Sequence, residues 1–437
     1  MLHGRRYFYV KSRRSGRQPT RRSQAKALTA LLCVLLGALF LSLLSRKCQD
    51  PPRYPIRTGD LDGLRPTPQA ATAALAPIDD ILLQAMVGLD GTSCLEIPSR
   101  LDATYAVQTT LDERFQQLAE TRLASSMAMG GVVMALEPLS GRTLALTTYN
   151  EDPSQPLAFF WKAYPAASIF KIVTASAALE MGLLGPDSIL TYNGGPYILC
   201  KRNLSDKTYS WSNRVTLSEA FARSLNPVFG KIGIYVLGRE SLERFGSAFF
   251  FNQAPACEVP FETARLSVPG DTFGIAEIAS GFNRTTVLAP VQAAWIGAAI
   301  LSGGAAPAPW LVETVREGAG EPIYAHEDEV PVRFTSPAVA SRMKELMEDT
   351  IHRGTCRRSF APAGRYRHLR SVCFGGKTGN INDDTDSMKF DWFVGYGEEK
   401  PEGRSVVLCV LMLHGPRLGH RANRVAFDLF NQYFRSE

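Results

Sequence analysis

Ser168 and Lys171 lie three residues apart in the segment YPAASIFKIVTASAALE, which spans residues 164–180. On a helix, this spacing places the two side chains on one face, one turn apart. A serine hydroxyl is a weak nucleophile without an adjacent base, and a lysine amine acts as that base only when burial or a nearby charge lowers its pKa. Because the neighbours of Lys171 are apolar, the segment predicts a buried helix that carries an activated serine.

The same spacing occurs a second time at Ser341 and Lys344, within SRMKELMEDT. Charged residues on several faces of this second segment predict a solvated surface helix. The spacing is therefore weak evidence by itself, and other motifs must decide which serine is reactive.

Ser224 and Asn226 form a second candidate motif, in which a hydroxyl and a carboxamide directly precede Pro227. The residue before a proline is biased away from the helical conformation. We therefore predict a turn here, from which both side chains project into a cleft.

A third candidate motif, FGGKTGN, spans residues 374–380 and contains Lys377, Thr378, Gly379 and Asn380. A cation and a hydroxyl at a strand edge can hold a carboxylate, and glycines in a strand let another backbone approach closely. The motif therefore predicts a strand whose edge binds substrate, and the alternative is a Gly-rich bend at a sheet edge.

The segments that must position these motifs change from strand patterns to helix patterns and back. Thr110 or Asp112 is a candidate N-cap for a helix, and residues 130–150 predict a β-hairpin. Residues 168–350 are predicted to be helical and rich in loops. Strand patterns return afterwards in SVCFGGKTGN and in a hairpin of KFDWFVGYGEE with RSVVLCVLMLHG, and RANRVAFDLFNQYFRSE predicts an amphipathic helix. Strands at both ends imply one sheet built from distant parts of the chain.

The positive charge of the chain is concentrated at its N-terminus. The formal net charge is +6, but residues 1–26 carry nine basic residues and no acid, so the remainder is nearly neutral and does not indicate nucleic-acid binding. Residues 27–45 are uncharged and close to the roughly 20 residues that cross a bilayer. We predict a basic cytoplasmic tail, an uncleaved single-pass membrane helix over 27–45, and an extracytoplasmic remainder.

Eight cysteines and six histidines show no spacing typical of a metal site, so the sequence predicts no metal and no cofactor. In an oxidising compartment, Cys356 and Cys373 could close a short disulfide, and Cys200 with Cys257 a second one. The alternative is that these residues are free, buried thiols.

The order S-x-x-K, S-x-N and K-T-G is that of penicillin-binding proteins and serine β-lactamases. TTLDERFQQLAE, EPLSGRTLAL, RTTVLAPVQAAWIGAAILSGG, MKELMEDTIHRGT and DWFVGY are also similar to successive elements of their transpeptidase domains. Residues 105–437 thus resemble a penicillin-binding transpeptidase domain, preceded by a stem over 46–104. The resemblance implies an α+β fold of the α/β/α type, with a five-stranded antiparallel sheet flanked by helices, behind a single N-terminal membrane helix.

The resemblance also implies how the catalytic residues divide the chemistry. Ser168 would be the acylated nucleophile, Lys171 the base that removes its proton, and Ser224 a relay to the leaving amine. The expected substrate is a peptidoglycan stem peptide ending in D-Ala-D-Ala, and β-lactams are the expected inhibitors.

A second group of residues would bind that substrate. Asn226 would hold the peptide bond, while Lys377, Thr378 and Gly379 would bind the chain end with its terminal carboxylate. The backbone N–H groups of the nucleophile and of Asn380 would form the oxyanion hole.

Several functions share this acylation step. A D,D-transpeptidase passes the acyl group to an amine, whereas a D,D-carboxypeptidase passes it to water. A β-lactamase must also place a deacylating water, but no E-x-x-L-N-type segment lies between the second and third motifs. A β-lactam sensor or scaffold is a further alternative, although all the catalytic residue types are present.

The stem over 46–104 is too short for a glycan-polymerising domain. If the protein cross-links the cell wall, we expect a separate glycosyltransferase as its partner. The span over 27–45 predicts localisation to the cytoplasmic (inner) membrane, with the catalytic domain in the periplasm.

Overall fold

A computed structural model of the chain describes residues 94–98, 104–318 and 320–435. The predicted cytoplasmic tail, the predicted membrane helix and most of the predicted stem lie outside these residues. Within the described part of the chain, none of the helices combines the length and the apolar character needed to cross a bilayer.

The described residues form strands and helices that we number in chain order. The strands are β1 (Cys94–Pro98), β2 (Thr104–Thr109), β3 (Gly130–Leu136), β4 (Thr143–Asn150), β5 (Tyr164–Pro165), β6 (Ile189–Tyr192), β7 (Asn213–Thr216), β8 (Val287–Leu288), β9 (Ala305–Ala306), β10 (Val312–Glu317), β11 (Pro322–Ala325), β12 (Val332–Arg333), β13 (Val372–Asn382), β14 (Lys389–Glu399) and β15 (Ser405–His414). The α-helices are α1 (Glu113–Ala124), α2 (Lys171–Glu180), α3 (Leu217–Ala222), α4 (Asn226–Lys231), α5 (Gly238–Ala248), α6 (Thr272–Ser280), α7 (Pro290–Leu301), α8 (Pro337–His352), α9 (Arg357–Phe360) and α10 (Ala422–Tyr433).

The central sheet has five antiparallel strands in the order β13-β14-β15-β3-β4. Both predicted hairpins are present, and they join side by side through β15 and β3. The sheet therefore combines the two ends of the domain, as the strand patterns predict. It also leaves β13, which carries the third motif, at an edge where one side of its backbone is free to meet a ligand.

Helices cover both faces of this sheet. On one face, α7 packs with α2 and α8 in a core that includes Trp295, Val407 and Leu411. On the other face, α1 and α10 pack in a separate core around Phe393 and Phe430. This arrangement confirms the predicted α+β fold with a five-stranded antiparallel sheet between helical layers.

Local sequence signals explain several element boundaries. Asp112 is the N-cap of α1, and its carboxylate accepts a hydrogen bond of 2.8 Å from the backbone N–H of Phe115. In contrast, β1 lies inside the predicted stem and joins β2, β10 and β11 in a second, four-stranded sheet. The sequence patterns did not indicate this second sheet, because its strands are short and its two hairpins, β1-β2 and β10-β11, are joined only by the long-range pairing of β2 with β10.

The two disulfides considered from sequence do not form. Cys200, Cys257, Cys356 and Cys373 all carry free thiols. Cys356 is buried next to Asn423, whereas Cys373 is exposed on β13. The alternative of free thiols is therefore correct, although only some of these thiols are buried.

Asp391 connects the sheet to the C-terminal helix. Its side chain is 2% exposed, and it accepts hydrogen bonds from Arg421 and from the backbone N–H of Ala422 at the start of α10. His414 lies 3.5 Å from the same carboxylate. Burial alone would raise the pKa of Asp391, but the contacts with His414 and Arg421 outweigh it and hold this pKa below its usual range.

We expect Asp391→Asn to lower the free energy of unfolding at pH 7 by about 1–3 kcal/mol, because a buried, hydrogen-bonded charge is lost. A depressed carboxyl pKa stabilises the fold above the unfolded pKa of about 3.9 and loses that contribution as the pH falls further. The difference between the two proteins should therefore shrink below about pH 4. Urea unfolding at several pH values measures it, and Asp428→Asn, which breaks the pair with the exposed Arg424 on the same helix, is the control. Equal midpoints for Asp391→Asn and wild type at pH 7 would contradict this view.

Candidate active site

Ser168 lies in a 3-10 turn, Ala167–Phe170, immediately before α2. Its neighbours in the turn are buried, whereas Ser168 itself is partly exposed. The chain ahead of the turn is fixed because the indole N–H of Trp392, on β14, donates to the carbonyl of Pro165 at 2.9 Å. The nucleophile predicted from sequence is thus held at the junction of the sheet and the helical layer.

Gly281 packs directly against the backbone of this turn. It ends α6 in the left-handed conformation, with φ of +66°, and a Cβ atom there would lie 1.9 Å from the carbonyl oxygen of Ala167. Ala167 itself has a positive φ of 47°. Only glycine allows α6 to approach the turn so closely.

Lys171 is completely buried, and its amine contacts three oxygen atoms. Its Nζ lies 2.7 Å from Ser168 Oγ, 2.8 Å from Asn226 Oδ1 and 2.6 Å from the carbonyl oxygen of Ser280. Burial, followed by the charge of Lys377, lowers the pKa of Lys171 well below its ordinary value. Lys171 therefore has the buried surroundings and the lowered pKa that a lysine needs to act as a base.

The lowered pKa of Lys171 favours a neutral amine. A neutral amine has two N–H donors and one lone pair. The carbonyl oxygen of Ser280 and the carboxamide oxygen of Asn226 can only accept hydrogen bonds, so they take the two N–H groups. The lone pair is left for the hydroxyl proton of Ser168, which is the proton that a nucleophilic serine must lose.

The second hydroxyl, Ser224, lies opposite Lys377. Ser224 is the residue before Leu225 and α4 and has a positive φ of 57°. The amine of Lys377 donates to Ser224 Oγ at 3.0 Å and to the carbonyl oxygen of Thr378 at 2.8 Å. Burial lowers the pKa of Lys377 to about 7. Lys377 therefore joins the edge strand β13 to the turn of the second motif.

The other predicted site residues, Asn226, Gly379 and Asn380, lie around Ser168 and Lys171. The carboxamide N–H of Asn226 donates to the carbonyl of Tyr197 at 2.9 Å, which fixes the amide so that its oxygen faces Lys171. A Cβ atom on Gly379 would lie 3.2 Å from the backbone nitrogen of Ser168, so this glycine allows β13 to lie directly against the nucleophile. Asn380 is the exposed residue next along this edge. The structure brings all three motifs together.

The second S-x-x-K copy does not belong to this site. Ser341 is exposed on α8, and Lys344 forms an ion pair of 3.0 Å with Glu398. Ser341 and Lys344 therefore lie on the solvent-facing side of α8, as predicted, although the opposite side of this helix is buried in the core. The lysine there has a carboxylate partner in place of a serine to deprotonate.

Several contributors to the site were not found from sequence. They include the carbonyl of Ser280, the carbonyl of Tyr197, and Thr355, whose hydroxyl lies 2.6 Å from that of Thr378. Backbone carbonyls leave no residue-type signal, since any amino acid can supply them. Gly281 did carry a signal, because a glycine that follows a helical segment is typical of a helix C-terminus.

No group of three or more His, Cys, Asp or Glu side chains in the described part of the chain is arranged to hold a metal ion. The site residues themselves are two lysines, hydroxyls and a carboxamide. This set is suited to acyl transfer by an activated serine.

A serine activated by a buried lysine, between a five-stranded antiparallel sheet and a helical layer, defines the penicillin-recognising class of proteins. Residues 131–434 match the family described as the penicillin binding protein transpeptidase domain. The chain belongs to this family, as its motifs predict.

Relatives of known name and structure agree. The chain is 28% identical over 352 residues to a protein named peptidoglycan D,D-transpeptidase PbpA from Mycolicibacterium smegmatis, covering 70% of this chain and 67% of that protein. Penicillin-binding protein A from M. tuberculosis, solved as an imipenem acyl-enzyme complex, has a TM-score of 0.62 at 23% identity, over 75% of this chain and 79% of that one. A D,D-transpeptidase domain from Eggerthella lenta also has a TM-score of 0.62, at 21% identity, over 75% and 82% of the two chains. These structures share the fold.

We expect Gly281→Ala to slow acylation by a fluorescent penicillin about 100-fold, because the new methyl group must displace the turn that carries Ser168. The control is Gly182→Ala. Gly182 has the same φ of +66° but no atom within 4 Å of its would-be Cβ, so it imposes similar backbone strain without touching the site. Labelling rates of the full-length variants measure the effect, and equal rates for the two would show that Gly281 does not position the nucleophile.

Proposed function

We propose that this protein is a peptidoglycan D,D-transpeptidase that cross-links stem peptides through an acyl-enzyme at Ser168. The observation that carries the proposal is the amine of Lys171, buried and held by Asn226 and Ser280 so that it faces the Ser168 hydroxyl. Membership of the transpeptidase family and the names of the relatives support the same reaction.

In the proposed acylation, Ser168 Oγ attacks the carbonyl carbon of the penultimate D-Ala while Lys171 accepts the hydroxyl proton. The resulting oxyanion is stabilised by the backbone N–H groups of Ser168 and Asn380, which the contact between Gly379 and Ser168 brings near each other. Ser224 then passes its hydroxyl proton to the leaving amine and is reprotonated by the Lys171 ammonium formed in the first step, so that the amine of Lys171 is neutral again. The terminal D-Ala departs, and the acyl group stays on Ser168 as an ester.

The cleft positions the substrate with groups from both of its sides. Asn226 holds the peptide bond next to the reacting carbonyl, and the charge of Lys377 with the hydroxyl of Thr378 attracts the terminal carboxylate. Gly379 leaves room for the peptide backbone along β13. A β-lactam presents a comparable carbonyl and carboxylate and is expected to acylate the same serine.

The fate of the acyl group separates the related activities. Transfer to an amine is transpeptidation, whereas transfer to water is D,D-carboxypeptidase activity, or β-lactamase activity when the acyl group comes from the drug. Asn226 and Lys377 serve acylation in each case. A slowly released penicillin adduct supports the transpeptidase, and rapid turnover of the drug would support a β-lactamase instead.

The proposal includes a location and a partner. The basic tail and the apolar residues 27–45 support a single-pass anchor in the inner membrane, with the catalytic domain in the periplasm where the cell wall is assembled. A separate glycosyltransferase would then supply the glycan strands and contact the span or the stem over 46–104. Capture of no wall-synthesis enzyme by residues 1–104 would argue against that partner.

We expect β-lactam exposure of the full-length chain to add one drug mass, and Ser168→Ala to abolish that adduct, because Ser168 is the proposed nucleophile beside the buried amine of Lys171. Ser341→Ala, which removes the serine of the surface copy, should keep the full adduct. Intact-mass spectrometry measures both. An adduct that persists in Ser168→Ala would refute the assignment of the nucleophile.

We expect the full-length chain to remain in the membrane fraction after an alkaline carbonate wash. Deleting residues 27–45 should move it to the soluble fraction, because the only predicted span is lost. Fractionation followed by penicillin labelling measures the distribution. A chain that stays in the membrane without residues 27–45 would contradict the proposed anchor.

A further inference from the structure

A second cleft, of about 420 Å³, lies directly beside the proposed active site. Its lining includes four arginines and no acidic residue, which makes it strongly basic. Among the residues that line the cleft are Tyr197, Arg223, Arg353, Thr355, Arg357 and Arg358.

Three contacts fix the basic cleft to the catalytic residues. The hydroxyl of Thr355 lies 2.6 Å from that of Thr378, and the carbonyl of Tyr197 holds the carboxamide of Asn226. The backbone N–H of Thr355 donates to the carbonyl of Ala222 at 3.1 Å, at the end of α3 and two residues before Ser224. The cleft therefore begins where the active site ends, on the side of Ser224 and Thr378.

The charge of this cleft is largely uncompensated. Arg353 is paired with Asp349, whose carboxylate lies 3.0 Å from its Nε. Arg223, Arg357 and Arg358 are exposed, and within the described part of the chain none of them forms an ion pair with an Asp or Glu. Three free guanidinium groups around one concavity favour a ligand with more than one carboxylate.

The position of the cleft indicates when that ligand binds. Ser224 and Thr378 face the leaving group in the proposed acylation, so the space beyond them opens when the terminal D-Ala departs. The next molecule to react must bring its nucleophile to the same side of the acyl ester, because the leaving and entering groups occupy equivalent positions. A peptide acceptor would therefore extend from Ser224 into the basic cleft.

We propose that Arg223, Arg357 and Arg358 form the binding site for the acceptor, an acidic stem peptide whose free carboxylates pair with these guanidinium groups. The inference rests on the proposed function and names the acceptor chemistry that the motifs leave open. In the transfer step, the acceptor amine nitrogen forms a bond to the acyl carbon and the bond from that carbon to Ser168 Oγ breaks. The proton of the amine goes to Ser168 Oγ through the neighbouring Ser224 and Lys171, which regenerates the free enzyme.

The test measures how the acyl-enzyme divides between amine and water. The full-length protein is incubated with a D-Ala-D-Ala donor peptide and, as the acceptor probe, the tripeptide L-Ala-γ-D-Glu-meso-diaminopimelate. Mass spectrometry gives the ratio of cross-linked to hydrolysed product. Because only acylated molecules contribute to it, the ratio does not depend on how much protein is acylated.

We expect the double variant Arg357→Gln, Arg358→Gln to lower this ratio about tenfold or more, since the charge-assisted hydrogen bonds to the acceptor are lost. The matched control is Arg365→Gln, Arg367→Gln. It removes the same charge from exposed positions of the same segment that do not line the cleft, and it should keep the wild-type ratio.

Two further measurements test whether the lower ratio is caused by the loss of charge pairing between the acceptor and the arginines. Amidation of the carboxylates of the tripeptide should lower the wild-type ratio and have little effect on the Arg357→Gln, Arg358→Gln variant. Raising the salt concentration to about 0.5 M should act in the same way, because it screens exposed charges.

An unchanged ratio in the cleft variant, or an equal loss in the control variant, would overturn the acceptor site while leaving the proposed transpeptidase intact. A wild-type protein that is not acylated by the donor at Ser168 would overturn both.

Discussion

The burial of the Lys171 amine is the interaction on which the rest of the structure depends. An isolated lysine is strongly disfavoured in a protein core, because its charge loses the stabilisation that water provides. Here the amine is retained because two obligate acceptors, the carbonyl of Ser280 and the carboxamide of Asn226, take its N–H groups. The cost of burial is what lowers the pKa of the amine, and a lowered pKa is what its proposed role as the base requires.

The elements around Lys171 can be understood as its supports. α2 is buried on nearly every side, so the lysine at its start is screened from water by its own helix and by α6 and α8. The glycine at the end of α6 lets the backbone approach the 3-10 turn and positions the carbonyl of Ser280. Tyr197 fixes the carboxamide of Asn226. Each support is a backbone group or a side chain from a different segment, and the base exists only where they converge.

Much of the fold could be predicted because its signals are local. Both hairpins of the central sheet, the capped helix α1 and the amphipathic helix α10 have periodicities or caps that lie within one stretch of sequence. The four-stranded sheet could not be predicted in this way, because its strands are short and its two hairpins meet only through the long-range pairing of β2 with β10. The sequence also could not decide whether Cys356 and Cys373 form a disulfide, since whether two cysteines meet depends on the packing of the segment between them.

By itself, the sequence determined the residue types of the site and their order: a serine with a lysine three residues later, then a serine and an asparagine, then lysine, threonine and glycine. It also determined that Ser168, and not Ser341, lies in an apolar segment. Only the tertiary structure decided that these motifs meet, that the amine of Lys171 is buried against Ser168, Asn226 and Ser280, and that arginines without an acidic partner among the described residues border the site. The physical reason is that a pKa and a binding cleft depend on solvent exclusion and on neighbours from remote segments, which no stretch of sequence contains.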